Sequence, residues 1–160
     1  MKKLEKILQK MKVLSENKKA YFDFEILEKF VAGISLLGQE AKSLKNFGTN
    51  LRGTYVILKG KEFFWVGAKI FPWQPKNCPQ WYKEVRDRKL LLTKSEIKYL
   101  IGKSKEKGLV FVPLKLFTKG RWIKLEFAIA KRRKKKEKKE ALKRKAIERE
   151  VQKELKEYGF

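Results

Sequence analysis

A mainly β body with helices, closed or nearly closed as a small antiparallel barrel, is what this sequence predicts. Three observations lead there: apolar runs of strand length punctuated by glycine turns, two pairs of such runs that read as hairpins, and two helical segments set between strands. Hairpins favour antiparallel pairing, and closure removes the free edges that would invite aggregation. At 160 residues the chain is one domain with an appendage, long enough to bury a working core.

In chain order, Leu4, Ile7, Leu8, Met11 and Leu14 recur at spacings of three and four, which predicts an amphipathic helical leader over 1–14. Phe22 to Leu36 is rich in Phe, Ile, Val and Leu, with Ala32-Gly33 marking a bulge or bend in one long strand. Gly38 to Phe47 is built of helix formers, with Gly48 placed for a left-handed cap. Tyr55 to Lys59 and Glu62 to Ile70, separated by Gly60, form the first hairpin. Residues 71 to 85 hold Pro72, Pro75 and Pro79 with Trp73, Trp81 and Tyr82 interleaved, a loop whose rings either stack on bases or pin it to the body. Thr93-Lys-Ser-Glu96 is a capping box opening a second helix through Ile97, Leu100 and Ile101 towards Gly108. Leu109 to Phe117 and Trp122 to Ala130 form the second hairpin, with Ile123, Leu125, Phe127 and Ile129 on one face. The barrel body thus spans 15–131.

From Lys131 the composition changes, with 14 Lys and Arg against 6 Glu to the end of the chain. Repulsion within Lys131-Arg-Arg-Lys-Lys-Lys136, and like pairs such as Lys145/Arg149 and Glu150/Glu154, make the 132–160 tail marginal as a helix in isolation. Its stripe of Ile147, Val151, Leu155 and Tyr158 suits a helix formed against a partner.

The formal net charge of +24 makes a polyanion the natural partner, nucleic acid before membrane, since no apolar run approaches the roughly 20 residues of a spanning helix. The interrupted N-terminus lacks the apolar core of an export signal, and one cysteine, Cys78, fits a reducing cytoplasm. With no histidine and only Asp23 and Asp87 as aspartates, histidine-based catalysis is excluded and no acid/base pair, metal site or cofactor site stands out. Basic residues interleaved with aromatics suit RNA or single strands, and no helix-turn-helix or zinc finger points to duplex DNA. A general RNA chaperone or ribosomal protein, and less readily a metal-dependent nuclease using Glu25 and Glu28, stay open at this level.

Particular residues then narrow the field. Asn17-Lys18-Lys19-Ala20, Ala32-Gly33-Ile34, Gly38-Gln-Glu-Ala-Lys-Ser-Leu44, Tyr55, Gly67-Ala68, Arg86-Asp-Arg-Lys-Leu-Leu-Leu92 with Glu96, and Val112-Pro-Leu-Lys-Leu116 occur in the order in which the SmpB family carries them. The sequence resembles that family, the SsrA-binding proteins that partner tmRNA, over roughly residues 12 to 150. The resemblance implies an OB-like antiparallel barrel with flanking helices, binding the tRNA-like domain of tmRNA and delivering it to stalled ribosomes for trans-translation. It implies no enzyme activity, no cofactor, and a cytoplasmic monomer. The implied partners are tmRNA, the decoding centre and mRNA channel of the small ribosomal subunit, and, through tmRNA, elongation factor Tu and alanyl-tRNA synthetase.

By matching position, Asn17, Lys18, Lys19, Glu40, Lys42, Arg86, Arg88, Lys89 and Leu91 would form or support the tmRNA-binding face. For Glu40 the alternative is a carboxylate pairing Lys42 or a neighbouring arginine, and for Leu91 a core filler. Lys131, Arg133, Lys134, Glu137, Lys138 and Lys139 would serve the decoding site, with Glu137-Lys-Lys139 standing where the family usually has Asp-Lys-Arg. Departures are Val31 for a glutamate, Lys69 for an asparagine, Arg132 for the glycine of Gly-Lys-Lys, the missing histidine of the proline loop, and Val151 near a tail tryptophan. Members commonly begin just before the segment matching Val13, which makes Met11 an alternative start.

Overall fold

A computed structural model describes residues 11–157. The strands are β1 (Met11–Glu16), β2 (Phe24–Ile34), β3 (Tyr55–Lys59), β4 (Glu62–Val66), β5 (Arg88–Leu91), β6 (Leu109–Lys119) and β7 (Trp122–Arg132). The helices are α1 (Ala20–Asp23), α2 (Gly38–Phe47), α3 (Lys94–Ser104) and α4 (Lys135–Glu157). Antiparallel pairing runs β6-β3-β4-β5-β2-β7, and β7 pairs back onto β6, so the ring closes; β1 adds to the outer edge of β6. A closed antiparallel barrel with helices around it agrees with the predicted fold class and is compatible with an OB-like description.

Alternation along β7 builds the interior. Leu125, Phe127 and Ile129 point inward onto Trp65, Phe63, Phe111 and Leu116, all buried. Phe111 meets Phe63 and Phe127 edge-on at centroid distances of 5.6 and 6.4 Å. Burying each such ring or branched chain stabilises by about 1.5–3 kcal/mol. The indole N–H of Trp65 donates to Thr54 Oγ1 at 3.1 Å, so the one polar atom of this ring is satisfied. Ala128 and Ala130, on the opposite face of β7, form a second cluster with Val112, Leu114, Phe24 and Ala20, which is why α1 lies there.

Four expectations are corrected. Met11 to Leu14 is strand, not leader helix: once β6 offers a free edge, the backbone of Met11–Glu16 pairs along Lys115–Lys119. Leu4, Ile7, Leu8 and Tyr158 lie outside the described residues. The irregularity in β2 falls between Ile26 and Glu28, not at Ala32-Gly33, which instead continues the ladder with β7 and meets β5. The strand of the first hairpin stops at Val66 rather than Ile70. The tail, expected to be marginal, is a continuous helix from Lys135 to Glu157. Its root is held to the body: Arg133 N–H donates to Asp23 O at 2.9 Å, Lys138 pairs with the Asp23 carboxylate at 3.4 Å, and the Lys145 ammonium sits 4.3 Å from the Phe22 ring centre. Beyond that root Ile147, Val151 and Leu155 stay exposed.

The helix α2 ends at Gly48, whose φ of 64° is positive as expected, although its ψ of −160° is extended rather than left-handed helical. A Cβ there would meet Leu14 O at 2.8 Å and Ser15 Oγ at 2.9 Å, the hydroxyl that accepts from Thr49 N–H. Gly48→Ala should therefore lower the stability by roughly 1–3 kcal/mol, through strain plus the displaced β1 contact. Denaturant titration will show it as a lower midpoint with unchanged slope.

Candidate nucleic-acid interface

The sequence places Glu40 one turn into α2, and the fold turns it inward against β5. Its carboxylate has no solvent exposure. Leu37 N–H donates to it at 2.9 Å, which caps the helix, and Tyr82 Oη at 3.2 Å. Arg86 forks onto both oxygens, one contact being Nε to Oε2 at 3.1 Å. Arg88 adds Nε at 2.8 Å and Nη2 at 2.6 Å. The Arg88 guanidinium is itself fully buried and donates onward to the carbonyls of Ala68, Glu84 and Arg86 at 2.8 to 3.1 Å. Glu40 thus ties α2, the proline loop and β5 into one unit, and each nitrogen of the buried Arg88 guanidinium finds an acceptor.

Burial by itself would raise the Glu40 carboxyl, but the hydrogen bonds from Arg86, Leu37 N–H and Arg88, with the Arg88 charge, outweigh it and hold the group below its ordinary range. Burial and the Glu40 charge push the Tyr82 hydroxyl up, so it stays a neutral donor. A carboxyl with a depressed folded-state pKa contributes stability that is full above the unfolded value, about 4.3 for glutamate, and lost as pH falls through the folded value. The unfolding midpoint should therefore drop as the pH goes below about 4. Glu40→Gln should flatten that part of the profile.

Around this buried hub lies a surface of rings and cations. Phe47, at the end of α2, packs on Trp73 at 5.6 Å, and the Lys42 ammonium lies 5.9 Å from the Trp73 ring. Next to them an open groove of about 710 Å³ is lined by Phe47, Asn50, Arg52, Lys69 and Phe71. Lys69 sits 4.9 Å from the Phe71 ring. Phe47 is 69% exposed and Trp81 67%. Lys69 also pairs with Glu84 at 3.5 Å, and rings open to solvent beside such surface ammonium groups suit stacking on unpaired bases and contact with phosphates. Of the two roles expected for the proline loop, the pinning one is seen in Tyr82, whose hydroxyl donates to Ile70 O at 2.9 Å, while Trp81 is exposed.

The predicted site residues divide accordingly. Lys18, Lys19 and Lys42 are exposed and Arg86 is partly so. Glu40 and Arg88 are supports that no ligand can touch in this arrangement, and Glu40 pairs the arginines rather than Lys42. Asn17 is also buried: its side chain donates to Pro113 O at 3.0 Å and its N–H to Leu114 O at 2.7 Å, at the bulge in β6 where proline breaks the ladder. Lys89 and Leu91 alternate outward along β5, away from the Arg88 and Leu90 positions. Lys89 neighbours Glu62 at 3.2 Å. Leu91 is 55% exposed, so it is no core filler. It lies over Gly33, where an added Cβ would meet Leu91 Cβ at 3.4 Å and Lys124 Nζ at 3.6 Å. Phe47, Arg52, Phe71 and Lys124 were not singled out by the sequence, since they come from α2, the segment before β3, the proline loop and β7, which only the fold brings near the others. In the tail, Lys131, Lys134, Glu137 and Lys139 are exposed, whereas Arg133 and Lys138 face the body. Glu28, a residue of the nuclease reading, accepts from Tyr99 Oη at 2.6 Å. Among the described residues no group of three acidic, cysteine or histidine side chains gathers to hold a metal ion.

The SmpB protein family model matches residues 14–157. The chain belongs to the SmpB family. An SsrA-binding protein of Sulfurihydrogenibium is 44% identical over 91% of this chain and 95% of its own length. Another, of Trichormus variabilis, is 40% identical over 92% and 95%. A solved chain described as "tmRNA-SmpB: a journey to the center of the bacterial ribosome" superposes with a TM-score of 0.62 at 34% identity, covering 80% of this chain and 93% of that one. Against the SmpB pattern, two departures now have a place: Val31 is exposed on β2, and Lys69 lines the ring-bearing groove. Among the described residues no helix is long and apolar enough to cross a membrane.

Proposed function

We propose that this chain binds the tRNA-like domain of tmRNA and delivers it to stalled ribosomes for trans-translation. The observation that carries this is the Glu40–Arg86–Arg88 hub, which buries the two signature motifs of the family in each other and so presents Lys42, Trp73, Phe47 and Arg86 as one rigid surface. In this reading the 15–131 barrel captures RNA by stacking and phosphate contacts. The 132–160 tail enters the decoding centre and empty mRNA channel of the small subunit, with Lys131, Lys134, Glu137 and Lys139 turned to solvent for that purpose. The protein works as a cytoplasmic monomer by binding and placement, with no bond made or broken. Elongation factor Tu and alanyl-tRNA synthetase join it only through tmRNA.

Copurification from cells followed by sequencing of the bound RNA tests the reading. Enrichment of tmRNA far above its cellular share is expected. A sample that mirrors total tRNA and ribosomal RNA would mean that charge alone drives association.

A further inference from the structure

Between the barrel and the root of α4 lies a cavity of about 290 Å³, lined by Asp23 and Phe24 on one side, Arg52 and Tyr55 on another, and Arg132 and Lys138 on the third. Three cations face one carboxylate there. Lys138 is paired with Asp23 at 3.4 Å. Among the described residues the side chains of Arg52 and Arg132 have no anionic partner and the Tyr55 hydroxyl has no hydrogen-bond partner; Arg132 only lies 5.9 Å from the Phe24 ring. Two uncompensated guanidinium groups converging on a concave site repel one another unless an anion sits between them, and a guanidinium fork matches phosphate oxygens. Arg132 is also the position where the family pattern has glycine, so this chain carries a charge that the common SmpB mechanism does not use.

We propose that this cavity is a second RNA-binding site, taking one backbone phosphate between Arg52, Arg132 and Lys138, with Tyr55 donating its hydroxyl. A phosphate there competes with Asp23 for Lys138. Occupation therefore loosens the root of α4 from α1 and couples RNA capture to release of the tail. This rests on the proposed binding of tmRNA, but makes a separate demand on Arg132 and Lys138, which do not line the ring-bearing groove; Arg52 lines both, so Arg132→Gln is the variant that separates the two sites.

The test uses the full chain and the Arg132→Gln, Arg52→Gln and double variants, all changes at exposed positions. Affinity for the isolated tRNA-like domain of tmRNA is measured from low to high salt, alongside inorganic phosphate as a competitor. Each single variant is expected to weaken binding several-fold and to reduce the slope of log K against log salt by about one. Hydrogen exchange of residues 135–145 should rise on addition of RNA to the unaltered chain, and less so in the double variant. Tight RNA binding by the unaltered chain with an unchanged salt slope in the double variant would overturn the second site and leave the proposed function standing. Absence of tmRNA binding by the unaltered chain would instead refute the proposed function. Exchange in α4 that is indifferent to RNA would remove the coupling, and competition by millimolar inorganic phosphate in the unaltered chain but not in the double variant would support the site.

Discussion

Replacing Glu40 with alanine is expected to destabilise the protein by about 3–5 kcal/mol, because the Arg88 guanidinium would be left buried without its counter-charge. Few single changes in this chain should match it. The damage is directional: α2, the proline loop and β5 meet at that carboxylate, so the surface bearing Lys42, Phe47 and Trp73 would lose its rigidity before the β6–β7 hairpin does. Affinity for tmRNA should fall by more than tenfold even at a temperature where the variant remains folded by circular dichroism. Arg88→Ala should behave alike, since it leaves Glu40 under-neutralised and removes the guanidinium donor from the carbonyls of Ala68 and Arg86 and from that of Glu84, which keeps only Ile70 N–H. Lys89→Ala, which removes an exposed ammonium beside Glu62, should leave stability nearly unchanged and weaken RNA binding only slightly. Equal stability losses for Arg88→Ala and Lys89→Ala would contradict the assignment of one to support and the other to the surface.

Truncation before Glu137 should separate capture from rescue. The barrel closes without α4, no residue of α4 is buried, and its hold on the body amounts to Arg133, Lys138 and Lys145 on α1. The shortened chain should retain tmRNA affinity within a few-fold, the loss reflecting Lys138 and the other tail cations removed and shrinking as salt rises. Addition of the peptide tag to nascent chains on stalled ribosomes should disappear. If both activities fall together, the tail belongs to the RNA-capture surface and the division between barrel and tail is wrong.

Much of this architecture is legible in the sequence, because its elements are strongly patterned. The capping box at Thr93 and Glu96 forms as spaced, with Glu96 N–H donating to the threonine hydroxyl and Thr93 N–H to the carboxylate. The alternation of Ile123, Leu125, Phe127 and Ile129 sends all four into the interior. What local pattern misreads is Met11 to Leu14, where helical spacing yields to a free strand edge at Lys115–Lys119, with Lys12 and Thr118 paired across 106 positions of sequence. The candidate site is legible by type and not by role. Glu40 reads either as part of the RNA face or as a carboxylate pairing a neighbouring arginine, and the second is what the fold shows; Arg88 and Asn17, read as forming or supporting that face, are consumed inside the fold, because a buried charge or amide must be satisfied. Conversely Leu91, an apolar residue in an apolar strand, is left on the surface by the parity of β5, which puts Arg88 and Leu90 inside. Phe47 and Phe71 look like core residues by type, and the groove beside α2 exists only after the proline loop has been pinned by Tyr82.

The most direct test of the central claim compares the affinity of the full chain for the tRNA-like domain of tmRNA with that for an elongator tRNA, each measured across a range of salt. If a rigid surface of rings and cations recognises one folded RNA, the preference for tmRNA should persist, and grow, as salt rises and the shared phosphate attraction is screened. Affinities that fall together along the same slope, with no preference at high salt, would show that net charge alone does the binding.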